Sequence, residues 1–260
     1  MKTKAKSQQF LKKHVLEESL CTGCGACVGL CPYQVIYHDR TVQLHNCDLE
    51  DGRCYAYCPR TLTDLTALRK LLFDPVDWTP EIGSVQGYYF SRAADPELRA
   101  AAQHGGTVTA LMELALAEGL IDSAIVSSRN QELEQEGLLI NDKNNLRRNA
   151  GSKFTVSPTV AAYHKLAAKD QGSIGVVATP CQAMALAKMK LKPGTEDAAK
   201  VRQLQLVIGL YCGWTLSLEK YLKMLSGHQI SRETISGFDI PAGKNVFEVF
   251  TKDGVTTIPF

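Results

Sequence analysis

Nine cysteines occur in the 260 residues, and seven of them lie between Cys21 and Cys58. Their stepped spacing suits a metal site better than a set of disulfides. Cys21, Cys24, Cys27 and Cys31, followed by Pro32, reproduce the C-x2-C-x2-C-x3-C-P run whose first three thiolates hold three irons of one iron–sulfur cube. Between them, Thr22, Gly23, Gly25 and Ala26 are small. A loop of such residues can wrap a cluster and bring backbone N–H groups close to its sulfurs, which tunes the potential.

In ferredoxin-type domains the fourth ligand comes from a distant cysteine. Here that residue is Cys58, also followed by a proline, while Cys31 crosses over to a second cluster with Cys47 and Cys54. The second run is irregular. Asp48-Leu49-Glu50-Asp51-Gly52-Arg53 separates Cys47 from Cys54, one residue longer than the standard spacing and without its middle cysteine. Three outcomes compete: an oxygen of Asp48, Glu50 or Asp51 completes the cluster, a three-iron cluster forms, or Cys47 and Cys54 are only structural. Zinc is the plain alternative for the whole block, although zinc sites seldom combine three closely stepped cysteines with C-x3-C-P.

Beyond the cysteines, three segments suggest ligand binding. Gln103-His104-Gly105-Gly106-Thr107 precedes a helix, where glycine permits close backbone approach and free N–H groups favour a phosphate. Gly151-Ser152-Lys153-Phe154-Thr155-Val156-Ser157-Pro158 offers hydroxyls and a cation before another helix, and Thr179-Pro180-Cys181-Gln182 follows a strand, where α/β folds bind ligands. Together they outline a nucleotide-binding crevice. Each feature also has a plainer explanation: the glycines make a tight turn, Lys153 is solvated, and Ser157 caps a helix.

These residues need elements to position them. The leader, residues 1–19, is basic and helical or frayed, and the cysteine block, residues 20–62, carries short β-like runs at Tyr33–Tyr37 and Thr41–Leu44. So small a core is stapled by metal. Residues 63–83 read as a helix over Thr63–Phe73 followed by a breaker-rich linker containing Asp74, Pro75 and Pro80. Residues 84–260 alternate between strand and helix. Strands are expected at Gly87–Ser91, Ser123–Ser127, Ser173–Ala178 and Leu204–Leu210, and helices at Thr107–Glu118, Val160–Ala168, Cys181–Met189 and Leu216–Leu225. That order implies a mostly parallel sheet with crossover helices, and the tail closes on a hairpin about Asp253-Gly254.

The second part of the chain resembles the family of coenzyme F(420) hydrogenase and dehydrogenase beta subunits, through QHGGTVTALMELALAEGLIDSAIV, GSKFTVSP, VATPCQAMALAK and VIGLYCGW, in that order. The resemblance runs from about Gly87 to the end, and the cysteine block matches an extension found on some members. It implies a small N-terminal ferredoxin-like domain followed by an α/β flavin-binding domain. It further implies bound FAD, lined by Gly105, Gly106, Thr107, Ser152, Lys153, Thr155 and Ser157, with Thr179, Pro180 and Gln182 in the same crevice. In the family, cysteines placed like Cys181 and Cys212 join a further cluster with a later C-x2-C-like segment, which this sequence lacks. The family's C-terminal portion is therefore expected to be missing, with three explanations open: the chain is short, another chain supplies the ligands, or both residues are ordinary buried cysteines.

Composition excludes other classes. A formal net charge of +2 gives no field that argues for nucleic acid or a membrane, no segment approaches transmembrane length, and the cysteine usage points to a reducing cytoplasm. The expected function is an oxidoreductase subunit relaying electrons between a two-electron carrier and a partner hydrogenase, formate dehydrogenase or reductase through FAD and 4Fe-4S clusters. The rival is a non-enzymatic electron-transfer or docking subunit without flavin. A weaker third reading is a reductase acting directly on an organic macrocycle.

Overall fold

A computed structural model of the chain describes residues 7–73, 77–130, 132–166, 172–241 and 243–259. The start of the leader, Asp74 and Pro75 of the linker, and the end of the helix expected to reach Ala168 lie outside the described residues.

The cysteine block begins with α1 (Gln8–Leu11), where the Ser7 side chain accepts from the Phe10 amide at 3.2 Å. A π-helical turn, Lys12–Leu16, continues it. Leu11 and Val15 from this leader pack against Cys27, Val28, Cys54, Tyr55 and Cys58. The two β-like runs pair as an antiparallel hairpin, β1 (Gln34–Tyr37) with β2 (Arg40–Gln43), and α2 (Arg53–Tyr57) follows. Helix α3 (Leu65–Phe73) leads to the short pair β3 (Trp78–Thr79) and β4 (Gly83–Ser84).

The expected strand at Gly87–Ser91 does not form. Its backbone finds no strand partner, and Tyr88, Tyr89 and Phe90 are exposed. An apolar run becomes a strand only where a neighbour accepts its hydrogen bonds. Instead the Ala93 amide donates to the Gly105 carbonyl at 2.7 Å, which ties this stretch to the loop before Thr107.

Two helices, α4 (Pro96–Ala101) and α5 (Thr107–Ala117), come before β5 (Ser123–Arg129), β6 (Gln135–Ile140), α6 (Lys143–Arg148) and α7 (Thr159–Leu166). Next come β7 (Ile174–Ala178), α8 (Pro180–Leu191), α9 (Ala198–Gln203) and β8 (Leu204–Gly209). The sheet order is β6-β5-β7-β8, with β5, β7 and β8 parallel and β6 an antiparallel edge. Its inner strands are buried on both faces through Ala124, Ile125 and Val126 and through Ile174, Val176 and Ala178, as parallel strands covered by helices must be. The mostly parallel sheet is as the alternation of elements implies; β6 was not anticipated.

The C-terminal part is a unit with its own core. Helix α10 (Leu218–Gly227) covers an antiparallel sheet of order β11-β10-β9, built from β9 (Ile235–Asp239), β10 (Val246–Thr251) and β11 (Gly254–Pro259). Leu218, Tyr221, Leu225, Phe247, Val249 and Ile258 are buried together there. The expected hairpin is β10–β11, and the Lys252-Asp253 turn joins it.

The cysteine block and the α/β part share one core. Cys24, Ala26 and Tyr57 are buried with Ile125, Val160, Tyr163, Ile174, Ala185, Leu186 and Met189. The first cysteine loop is therefore built into the face of the second part and does not hang from a linker.

Candidate functional site

Cys21, Cys24, Cys27 and Cys58 line one apolar cavity, walled by Leu11, Val15, Leu16, Ala26, Thr41 and Pro59. Hydrogen bonds already point at the sulfurs. The Thr41 amide donates to Cys21 Sγ at 3.4 Å, the Arg60 amide donates to Cys58 Sγ at 3.4 Å, and the Thr41 hydroxyl lies 3.2 Å from Cys27 Sγ. Burial pushes the Cys24 thiol up to about 12 and raises Cys27 and Cys58 as well, with the neighbouring thiols adding to the effect. Four thiolates in such a place require compensating positive charge, which iron supplies. Among the described residues, no three His, Cys, Asp or Glu side chains converge on a point that fits a single metal ion. Thiols arranged around a cavity fit a cube better than they fit zinc.

The second trio is also brought together. Burial raises Cys54 to about 11, and the thiols of Cys31 and Cys47 contribute to the rise. Cys31 does not line the first cavity and lies close enough to Cys54 to raise its thiol. Asp48, Glu50 and Asp51 are all exposed beside this trio in sequence.

The first cysteine loop lies against the second part of the chain. The Val160 amide donates to the Cys24 carbonyl at 3.3 Å. A methyl group on Gly25 would stand 2.7 Å from the Ala161 nitrogen and 2.9 Å from the Pro158 oxygen; one on Gly23 would stand 2.1 Å from a Val156 methyl. Both glycines also have positive φ, so each is required twice over.

Two glutamines stitch the three ligand-binding segments together. The Ser152 amide donates to Gln103 Oε1 at 2.7 Å, and Gln103 Nε2 donates to Asp239 of β9. Gln182 accepts from the Thr179 amide at 2.8 Å and donates to the Ser157 carbonyl at 2.6 Å, completing a capping box on α8. Gly106 takes positive φ as the N-cap of α5, and the Thr107 hydroxyl lies 3.1 Å from that of Ser91. The buried Thr155 hydroxyl has no partner among the described residues and lines an open cleft with Asp39, Gln135 and Val156. Lys153 donates to the carbonyls of Asn149, Ala150 and Gly151, and burial lowers it to about 8.

Cys181 and Cys212 have different surroundings. Cys181, in the first turn of α8 and partly buried, is close enough to Cys24 to raise that thiol. Cys212 is exposed beyond β8, where its thiol donates weakly to the Trp214 carbonyl at 3.5 Å.

Three contacts escaped the sequence. Arg53 Nη1 donates to both carboxylate oxygens of the buried Asp197, Asp39 in the β1–β2 turn accepts the Leu218 amide at 3.0 Å with both oxygens, and Lys188 reaches from α8 to the Cys58 carbonyl and the chain after it. Only Lys188 left a signal: it is a cation on the helix face that also carries the buried Ala185, Leu186 and Met189.

Fold and site define a protein in which a ferredoxin-like iron–sulfur block is fused to an α/β domain. The chain belongs to the family of coenzyme F(420) hydrogenase/dehydrogenase beta subunits: the N-terminal model of that family matches residues 88–164, its C-terminal model matches residues 171–260, and a 4Fe-4S binding domain matches residues 14–37. The C-terminal match overturns the expectation that the family's C-terminal portion is missing. The β9–β11 sheet and α10 belong to it, and they close a core without any C-x2-C-like segment.

The chain is 33% identical to the coenzyme F(420) hydrogenase subunit beta of Methanothermobacter thermautotrophicus over 68% of its own length and 63% of the relative's. It is 26% identical to a subunit of the F(420)H(2) dehydrogenase of Methanosarcina mazei over 94% of its length and 68% of the relative's. Against the coenzyme F(420)-dependent sulfite reductase of Methanocaldococcus jannaschii, identity is 26% over 88% of this chain and 36% of that one. A chain of the F(420)-reducing [NiFe] hydrogenase complex from Methanosarcina barkeri superposes with a TM-score of 0.58 at 25% identity, covering 66% of this chain and 61% of that chain. The chain thus spans about three fifths of the hydrogenase subunits it matches. No helix among the described residues is long and apolar enough to cross a membrane.

Proposed function

We propose that this chain is the electron-relay subunit of a coenzyme F(420)-dependent oxidoreductase, joining a flavin crevice to two iron–sulfur sites. Cys21, Cys24, Cys27 and Cys58 hold the first cube, and Cys31, Cys47 and Cys54 hold the second cluster, which lacks a fourth thiolate. Gly105, Gly106, Thr107, Ser152, Thr155 and Ser157 border the FAD, with Thr179 and Pro180 at the strand end beside them. Flavin exchanges two electrons as hydride on one side and single electrons on the other. The partner is a hydrogenase, formate dehydrogenase or reductase, by analogy with relatives named as a hydrogenase subunit, a sulfite reductase and a formate dehydrogenase subunit, and the cysteine usage favours a reducing cytoplasm.

One observation carries this reading: Gly23 and Gly25 pack the cluster loop directly onto Val156 and Pro158, in the segment assigned to flavin, and onto Ala161 of the helix that follows it. Contact of that kind leaves little distance between a cube and the crevice. The residues here bind and orient, and the apolar walls of the cysteine cavity exclude water.

The rival, a relay without flavin, draws support from Gln182 and Lys153, whose polar atoms are engaged within the protein. Anaerobic purification, with iron, acid-labile sulfide and released flavin counted per polypeptide, separates the two. About one flavin with about two clusters is expected. Clusters without flavin favour the rival, and no iron overturns both readings.

A further inference from the structure

We propose that Lys188 is a positioning residue that sets the reduction potential of the first cluster, by holding a buried positive charge beside Cys58. This rests on the assignment of Cys21, Cys24, Cys27 and Cys58 to that cluster.

Lys188 comes from α8, the helix that begins at the Thr179–Gln182 turn, and it is only 6% exposed. Its Nζ donates to the Cys58 carbonyl at 2.7 Å, to Thr61 Oγ1 at 2.8 Å and to the Leu62 carbonyl at 3.2 Å, with the Thr61 carbonyl at 3.5 Å. An ammonium has three hydrogens to give, and the three nearest oxygens use them. All of these acceptors are neutral. Among the described residues Lys188 forms no ion pair with a carboxylate. A charge so placed is expensive to bury unless an opposite charge lies close by. Lys188 holds the Cys58 carbonyl directly, and its charge lies close enough to the Cys58 thiol to oppose the rise that burial imposes there.

A cube on four thiolates is already anionic, and reduction adds one more negative charge. A fixed cation beside one ligand favours the reduced form and raises the potential. Among the described residues the second trio has no equivalent: Arg53, which stands next to Cys54, has its charge matched by Asp197 and Glu196. The influence of Lys188 is therefore greatest on the first cluster, whose ligand Cys58 it touches.

A purely structural role, tying down the Cys58–Leu62 turn, predicts something different. Lys188→Gln retains a donor and removes the charge; Lys188→Met removes both; Lys188→Arg keeps the charge. Thr61→Asp leaves the lysine in place and neutralises it. The test is a redox titration of the full chain followed by electron paramagnetic resonance, with Cys54→Ser used to assign the two signals.

The expected result is a shift of the first cluster to lower potential in the Gln, Met and Asp variants, a second cluster left where it was, and an Arg variant close to the parent. An unshifted first cluster in any neutralised variant that still binds iron overturns the proposal, as does an equal shift of both clusters. Assembly of the cube only in the Arg variant and the parent also overturns it, since the lysine would then be a tie. Parent protein with no iron at the first site refutes the cluster assignment instead, before any variant is compared.

Discussion

The Arg53 guanidinium places Nη1 3.0 and 3.1 Å from the two carboxylate oxygens of Asp197, joining the segment between Cys47 and Cys54 to the loop before α9. Asp197 is only 2% exposed, and the Tyr57 phenol donates to it at 2.7 Å. Truncation to Arg53→Ala strands that carboxylate, and breaking a buried pair from one side costs about 3 kcal/mol. Thermal unfolding should fall accordingly, with iron lost first from the second site. Lys, which lacks the second nitrogen that Arg53 gives to the Leu30 carbonyl and Glu196, should restore only part of the loss. An unchanged melting temperature would refute the coupling of the two parts.

Gly25 gives the sharpest steric prediction. Its φ is +82°, and an added methyl meets Ala161 and Pro158 below 3.0 Å, so Gly25→Ala combines backbone strain with a clash. Left-handed strain alone costs about 1–2 kcal/mol. Loss of the first cluster is expected, measured as iron and sulfide per chain. Gly119→Ala is the control: its φ is +67° with nothing within 4 Å, so it should bear the strain without losing iron.

Asp122 ties the start of β5 to Ser173, just before β7, by accepting from the Ser173 amide at 2.6 Å and the Ser173 hydroxyl at 2.7 Å. The hydroxyl, followed by the amide, holds its carboxyl below the usual range. A carboxylate with a depressed folded pKa adds stability above its unfolded value of about 3.9, and that contribution is lost as pH falls through the folded value. Asp122→Asn should therefore be less stable than the parent at neutral pH, with the gap closing as pH drops below about 4. A gap independent of pH would show that the carboxylate charge is irrelevant.

How much of this was legible depended on the range of the interaction. Cys21, Cys24, Cys27 and Cys31 declare themselves because a cube demands fixed thiol spacing, and Pro32 completes the pattern. The buried runs of β5 and β7 were readable because parallel strands are apolar on both faces, whereas β8, expected to be buried, is an edge strand with only Leu204 buried. Gly87–Ser91 was misread because apolar character carries no information about whether a partner strand exists. Asp197 was invisible for the same reason, and Lys188 showed only as a cation on a buried helix face without its partner: Arg53 and Cys58 lie 144 and 130 residues away from them. The C-terminal region was misjudged on a missing cysteine motif, although its hairpin and the apolar face of α10 already sufficed to form a core.

Gln103 offers the prediction that best separates flavin from iron. Its amide oxygen accepts from Ser152 and its amide nitrogen donates to Asp239, so one side chain joins the loop before α5, the Gly151–Pro158 segment and β9. None of these atoms touches a cysteine. Gln103→Leu removes both hydrogen bonds at similar size, and two such bonds are worth about 2 kcal/mol together. If the crevice is shaped by that tie, flavin retention should fall by at least about tenfold, the equivalent of 1.4 kcal/mol, while iron and sulfide stay at the parent level. Gln103→Glu should behave similarly, because a carboxylate can still accept from Ser152 but repels Asp239. Flavin bound as tightly as in the parent would place the cofactor elsewhere on the α/β domain, and a parallel loss of iron would mean that crevice and cysteine pocket fold as one unit.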